Sequence, residues 1–237
     1  MSRIYERIMT GSTEAITDAQ EKKKRIREAE LLECYFDNPC ATLSIPYWKN
    51  RNLTMPPNMR IVHEKEYRQE DFAEYRDEPY FRLIHYLKEV QEVKLENYII
   101  ETVTADDISI LAEVINQSYT DLSVTSEQLS GYTKTVVYDS ELWILVKDKM
   151  NSCVVGCGMA DLDRELKEGI LEWIQVLPTY RGKKIGQLIV CELLQRMKGK
   201  AEFITVSGKV NNMTNPEALY RKCGFQGEDV WHILTML

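Results

Sequence analysis

The stretch VLPTYRGKKIGQLIV, Val176–Val190, passes from a short apolar run through a proline into Arg-Gly-Lys-Lys-Ile-Gly, and then into a helical pattern. That order predicts a strand, a loop and a helix. The first N–H groups of such a helix lack intrahelical partners, and the macrodipole makes that end positive. Gly182 and Gly186 allow close backbone approach, and Arg181, Lys183 and Lys184 add mobile positive charge. Together these features predict a site for a phosphate or pyrophosphate. The spacing is not that of a Walker A loop, nor of the three-glycine dinucleotide fingerprint. Pro178 cannot donate to a sheet ladder, so strand pairing is expected to stop or splay there. A splay would leave Gln175, Val176 and Leu177 without a strand partner, open to an extended amide-containing ligand.

The neighbouring segments supply a frame. YIIETVT reads as a strand, and ADDISILAEVINQSY as a helix capped by Asp106 or Asp107. ELWILVKD and SCVVGCGMADLD read as strands joined around Met150 and Asn151, and GILEWIQVLP as a further strand. The helix after the loop places Ile185, Leu188, Ile189, Leu193 and Met197 on one face. EFITVSGKV is a strand, PEALYRKCG a short helix with Pro216 in its first turn, and VWHILTML a last strand. A mixed sheet flanked by helices follows, with parallel, right-handed strand–helix–strand units in the second half.

Ahead of a composition shift near Lys94–Asn97 the pattern differs. Residues from Thr17 to Phe36 read as a helix, with Thr17 and Gln20 spaced as a capping box. The run Lys22–Arg25 is flanked by Glu21, Glu28 and Glu30, a spacing that suits ion pairs on a solvated helix face. Asp37–Met59 carries four of the seven prolines and is expected to be irregular, with Leu43, Ile45, Tyr47 and Trp48 docked on the main body or on a second subunit. Glu78–Val90 reads as an amphipathic helix.

The 237 residues are 44% hydrophobic and 28% charged, a balance that buries a core. The net charge of −7 argues against general nucleic-acid binding and favours a cationic or neutral substrate. Six cysteines scattered over this length read as reduced thiols, and no cysteine or histidine spacing matches a metal site. No apolar run is long enough to cross a bilayer, and the first residues lack the apolar core of a signal peptide, so a cytoplasmic location is expected.

Val176-Leu177-Pro178 followed by Arg181-Gly182-Lys183-Lys184-Ile185-Gly186 resembles the signature of the GNAT superfamily of acetyl-CoA-dependent N-acetyltransferases, with Lys184 where glycine is usual. A helical backbone at Lys184 would remove the steric need for glycine. Asn211–Phe225 resembles a second family element, in which Leu219-Tyr220 and Gly224-Phe225 keep the spacing and Asn212 or Asn215 stands for the asparagine. The resemblance spans about Asn97 to Leu237. It implies a splayed mixed sheet (α/β, or α+β) in a GNAT domain over 96–237; residues 1–95 lie outside the resemblance and read from their own pattern as a mainly helical, partly irregular extension. It implies acetyl-CoA as cosubstrate without a metal, with the pyrophosphate on Arg181, Gly182, Lys183, Lys184, Ile185 and Gly186, and the pantetheine arm along the splayed strand at Val176.

Acyl transfer to an amine needs a base, an oxyanion donor and an acid for the leaving thiolate. By resemblance Tyr220 is the acid; otherwise it is a packing tyrosine. Glu172 is either the base or a carboxylate at the sheet surface. Alternation places it with Ile174 and Val176, opposite Leu171, Trp173 and Gln175. The oxyanion donor is expected at the N–H of Val176 or a neighbour. Cys157 and Cys223 read as buried small hydrophobes, so transfer is expected to be direct. Residues 1–95 are expected to cover the acceptor site or to form a homodimer contact. The acceptor is an amine of a small molecule or protein, and neither nucleic acid nor membrane is expected as a partner. The alternative is a non-enzymatic acyl-CoA-binding sensor or assembly module on the same fold.

Overall fold

Trp143, Ile144, Leu145 and Val146 are all almost fully buried, which requires that the strand carrying them be covered on both faces. The computed structural model describes residues 29–42, 55–118 and 123–237 and shows how that cover is built. The chain forms two compact units, Tyr80–Glu228, and Met1–Pro79 with Asp229–Leu237.

The larger unit holds strands β2 (Tyr75–His85, from Tyr80 onward), β3 (Tyr98–Thr102), β4 (Trp143–Asp148), β5 (Val154–Asp163), β6 (Glu168–Val176) and β7 (Phe203–Lys209). They lie in the order β2-β7-β6-β5-β4-β3. Every pairing is antiparallel except β6 with β7, which is parallel. Its helices are α1 (Ile108–Ser118), α2 (Ser126–Tyr132), α3 (Ile185–Met197) and α4 (Pro216–Lys222). The side-chain period of two sorts the core. Ile144 and Val146 pack with Ile185, Ile189, Leu193 and Met197 of α3. Trp143 and Leu145 pack on the opposite face with Leu111 and Ile115 of α1 and Leu129 of α2. α3 lies close to the sheet because β5 carries glycines under it. A Cβ on Gly158 would stand 2.4 Å from Ile189 Cγ2, and one on Gly156 3.2 Å from Ile189 Cδ1.

The hairpin around Met150 and Asn151 joins β4 to β5 as expected. A 3-10 turn, Ala105–Asp107, leads into α1, and Thr104 at its head donates from its N–H (2.9 Å) and hydroxyl (2.6 Å) to Asp107 Oδ2. Those bonds hold the Asp107 carboxyl below its ordinary range.

The helix expected over Glu78–Val90 is strand β2, which pairs Tyr80–His85 with Lys209–Ile204 of β7. Phe81, Arg82, Leu83, Ile84 and His85 are all buried, so both faces of the strand are covered and no alternation marks it in the sequence. The expectation of a mainly helical extension is corrected over residues 55–95. Residues 55–95 contain β1 (Met59–His63), a short turn of 3-10 helix at Gln69–Phe72, β2 and a connecting loop.

In the smaller unit β1 pairs antiparallel with Trp231–Thr235 of β8 (Gln226–Met236). His232 is held between Asp77, 2.9 Å from Nδ1, and Glu64, 2.5 Å from Nε2, with the Tyr67 ring stacked on it at 3.7 Å. Residues 29–37 are helical. The expected cap at Thr17, the basic run Lys22–Arg25 and the apolar residues Leu43–Trp48 lie outside the described residues.

Substituting Gly158 by alanine tests the seating of α3. Ile189 is β-branched and stiff within a helix, so the methyl forces a backbone shift. The expected loss is about 2 kcal/mol, read as a thermal midpoint lowered by several degrees.

Candidate active site

β6 keeps β5 as a neighbour along its whole length but keeps β7 only over Glu168–Leu171, opposite Phe203–Val206. Beyond that point β7 runs on with β2 alone, on its other edge, where Ser207, Gly208 and Lys209 face Arg82, Phe81 and Tyr80. The two strands therefore part after Leu171 and Val206, well before Pro178. A β-bulge marks the place: Ala160 faces Leu171 and Met159 faces Trp173, which leaves Glu172 as the extra residue. Bulges bend a strand and increase its twist, which explains why the splay starts here.

Two expectations are corrected by this geometry. Gln175, Val176 and Leu177 keep strand partners, because Cys157 faces Gln175, Gly156 faces Val176, and the Leu177 N–H donates to Val155 O at 2.9 Å. Among the described residues no strand pairs with their other edge. Since successive residues point their N–H groups to opposite edges, the Val176 N–H lies on that open side. The bulge also breaks the expected alternation. Leu171, Ile174 and Val176 all pack with the α3 face, while Trp173 packs with α1 and α2.

The chain leaves β6 through a 3-10 turn, Pro178–Tyr180, and enters the basic loop. Gly182 has φ +80° and Lys184 has φ +64°, ψ 11°. The helical backbone that would have removed the steric need for glycine at Lys184 is not found: the residue is left-handed, the conformation that glycine adopts without strain. Two left-handed residues flanking Lys183 are the kind of alternation that turns backbone N–H groups into an anion-binding concavity. A Cβ at Gly182 would meet nothing within 4 Å, so this part of the loop is open. Gly186 serves a different purpose: a Cβ there would stand 3.0 Å from Leu219 Cδ2, so glycine lets α3 pack against α4. Arg181 is not mobile. Its Nε donates to Val176 O (3.2 Å) and its Nη2 to Ser118 O (3.1 Å). Lys183 Nζ lies 4.4 Å from the centre of the Tyr180 ring.

α4 follows β7 in the chain and packs against α3. Asn215, at φ +46°, caps it by accepting from the Ala218 N–H at 3.3 Å. Asn212 Oδ1 accepts from the N–H (2.9 Å) and hydroxyl (2.8 Å) of Thr214. Both asparagines line a concavity of about 390 Å³ formed by residues 209–212 and 215–217. Tyr220 is 7% exposed, with its ring 6.2 Å from Phe81 and 5.7 Å from Phe225.

Cys157 is fully buried, and burial pushes its thiol up to about 12. Cys191 and Cys223, equally buried, hydrogen-bond to one another, which lifts the Cys223 thiol above its usual range. Burial lowers the His85 imidazole below its ordinary value, and its Nδ1 accepts from the Leu87 N–H at 3.0 Å. Among the described residues no group of three or more His, Cys, Asp or Glu side chains is placed to hold a metal ion, and no helix is long and apolar enough to cross a membrane.

Sequence reasoning missed three contributors: Phe81, the bulge at Glu172, and Ser118 as an anchor for Arg181. Each depends on which strands or loops become neighbours. The two glycines of β5 under α3 were the one local signal in reach, since glycine in a strand marks close approach.

A strand pair that parts beside a helix N-terminus, with a basic loop between, is the arrangement of the GNAT fold. Residues 138–227 match the family model for the acetyltransferase (GNAT) domain. A GCN5-related N-acetyltransferase from Sphaerobacter thermophilus superposes with a TM-score of 0.62 at 16% identity, over 81% of this chain and 64% of that one. A functionally unknown conserved protein from Staphylococcus epidermidis superposes with a TM-score of 0.55 at 12% identity, over 75% of this chain and 71% of its own. No curated protein sequence matches this one. Residues 138–227 thus match a GNAT acetyltransferase domain, and the larger unit has the GNAT fold.

Two measurements check the site. Lys184→Gly relieves the left-handed strain and is expected to raise stability by about 1 kcal/mol, read by thermal or denaturant unfolding. With its thiol raised to about 12, Cys157 holds almost no thiolate at pH 8 and is expected to escape iodoacetamide, while exposed Cys34 and Cys153 are alkylated, as mass spectrometry of the folded protein would report.

Proposed function

We propose that this protein is an acetyl-CoA-dependent N-acetyltransferase that moves the acetyl group directly to an amine. The observation that carries the proposal is the open edge of β6 beyond Leu171, which leads to the left-handed loop and the first turn of α3. The Val176 N–H supplies a hydrogen-bond donor for the thioester oxygen and the charge that develops on it. Gly182, Lys183, Lys184 and Ile185 offer N–H groups and cations for a pyrophosphate. Gly186 and Arg181 shape that loop from behind. Asn212 and Asn215 stand on the concavity beside β7, where either suits contact with the pantetheine arm.

The chemistry then follows from the side chains nearby. The amine nitrogen attacks the thioester carbonyl, the carbon–sulfur bond breaks, and the thiolate takes a proton from Tyr220. Glu172, set in the bulge at the mouth of the splay, takes the proton lost by the amine, directly or through water. The burial of Cys157 and Cys223 supports direct transfer without an acyl-enzyme. The net charge of −7 favours a cationic acceptor, from a small molecule or a protein.

A second reading, an acyl-CoA-binding protein without turnover, has one observation in its favour: Tyr220 is enclosed by aromatic neighbours as a packing residue would be. Tyr220→Phe separates the two. For an enzyme, thiol release with an amine library is expected to fall about a hundredfold while calorimetric affinity for acetyl-CoA is retained. Micromolar binding with no amine turned over by the wild type would leave the sensor reading standing. No binding of acetyl-CoA or coenzyme A at millimolar ligand would end both.

A further inference from the structure

We infer that Arg181 is a positioning residue for the open edge of β6, and not a phosphate ligand; the inference rests on the acyl-CoA reading given above. Its guanidinium joins two carbonyls from distant parts of the chain, Val176 O at 3.2 Å and Ser118 O at 3.1 Å. The planar fork of arginine makes both bonds at once, which a lysine ammonium on its flexible stem does not reproduce.

Each bond has a consequence. In a strand the N–H and C=O of one residue point to the same edge, so the Val176 carbonyl lies on the open side with the Val176 N–H. Arg181 covers that carbonyl. An arriving group therefore finds a donor at residue 176, backed by a cation, and a carbonyl already engaged by that cation. That edge suits a carbonyl oxygen and the oxyanion it becomes, and disfavours an N–H group in the same place. The other bond takes up the carbonyl of the last residue of α1, one of the four that a helix leaves without an intrahelical partner. Arg181 thereby fastens the end of α1 to the end of β6. The loop cations left to meet phosphate are Lys183 and Lys184.

The test uses the full chain with two acyl donors, acetyl-CoA and acetyl-pantetheine, which lacks the pyrophosphate. Arg181→Met and Arg181→Lys are compared with wild type for kcat and KM, and for hydrogen exchange of the amides of residues 112–118. In Arg181→Met, kcat is expected to fall about tenfold with either donor, affinity for coenzyme A to change little, and exchange at the end of α1 to quicken. Arg181→Lys, which keeps the charge, is expected to restore neither. A loss seen with acetyl-CoA but absent with acetyl-pantetheine would make Arg181 a phosphate ligand and overturn the inference. So would unchanged kcat and exchange in Arg181→Met. If the wild type binds no coenzyme A at all, the acyl-CoA reading fails, and the exchange measurement still decides whether Arg181 fastens α1.

Discussion

The parting of β6 from β7 is the constraint on which the rest of the larger unit depends. A parallel strand pair holds together as long as both strands keep register. Here one extra residue, Glu172, breaks it on β6, while β7 keeps its pairing with β2 on the opposite edge. The closed end of the pair is tied across the strands by side chains. Glu168 is fully buried, accepts from the Thr205 hydroxyl at 2.7 Å and faces the Arg82 guanidinium at 3.6 Å. A buried carboxylate needs such partners, because an unsatisfied charge there would cost several kcal/mol. The pair is thus fixed at one end and open at the other, and the cleft is a consequence of strand geometry.

The cleft is held in shape by close packing on its far side. α3 rests on glycines of β5, and Gly186 lets the same helix meet Leu219 of α4. Helix, strand and loop therefore move little with respect to one another at the cleft. Arg181 adds a polar connection, bonding the ends of β6 and α1. At the other end of α3, Arg196 donates to Glu141 O (2.7 Å) and Thr102 Oγ1 (2.8 Å), which fixes that end against the turn before β4 and the end of β3. The loop between these anchored parts carries the left-handed residues. Strain in such a place persists because its surroundings determine the backbone more strongly than the residue does.

The smaller unit is built on different chemistry. Its strand pair is short, and buried polar contacts supplement the apolar ones. His63 bonds to Asp229 at 2.9 Å and meets the Trp231 ring edge-on, and the Trp231 indole donates to Cys40 O at 2.8 Å. His232 faces a carboxylate at each ring nitrogen. Both histidines read in sequence as isolated residues, and their partners lie more than 150 positions away.

What the sequence determined by itself was local. Short apolar runs between turn residues marked β3 to β8, period 3.6 marked α1 and α3, and glycines among basic residues marked Arg181–Gly186 as a loop, because each rests on the chemistry of adjacent residues. Tertiary structure decided the rest. β2 passed for a helix because burial on both faces erased its alternation, and only pairing with β7 makes it a strand. The bulge at Glu172 left no trace in the residues around it, since register is a relation between two strands. Lys184 read as already helical, and the loop's path between β6 and α3 makes it left-handed instead. Arg181 looked like free charge until Ser118 and Val176 were brought within reach of its guanidinium. A side chain's partners follow from where the backbone carries it, and that is fixed by contacts between segments far apart in the chain.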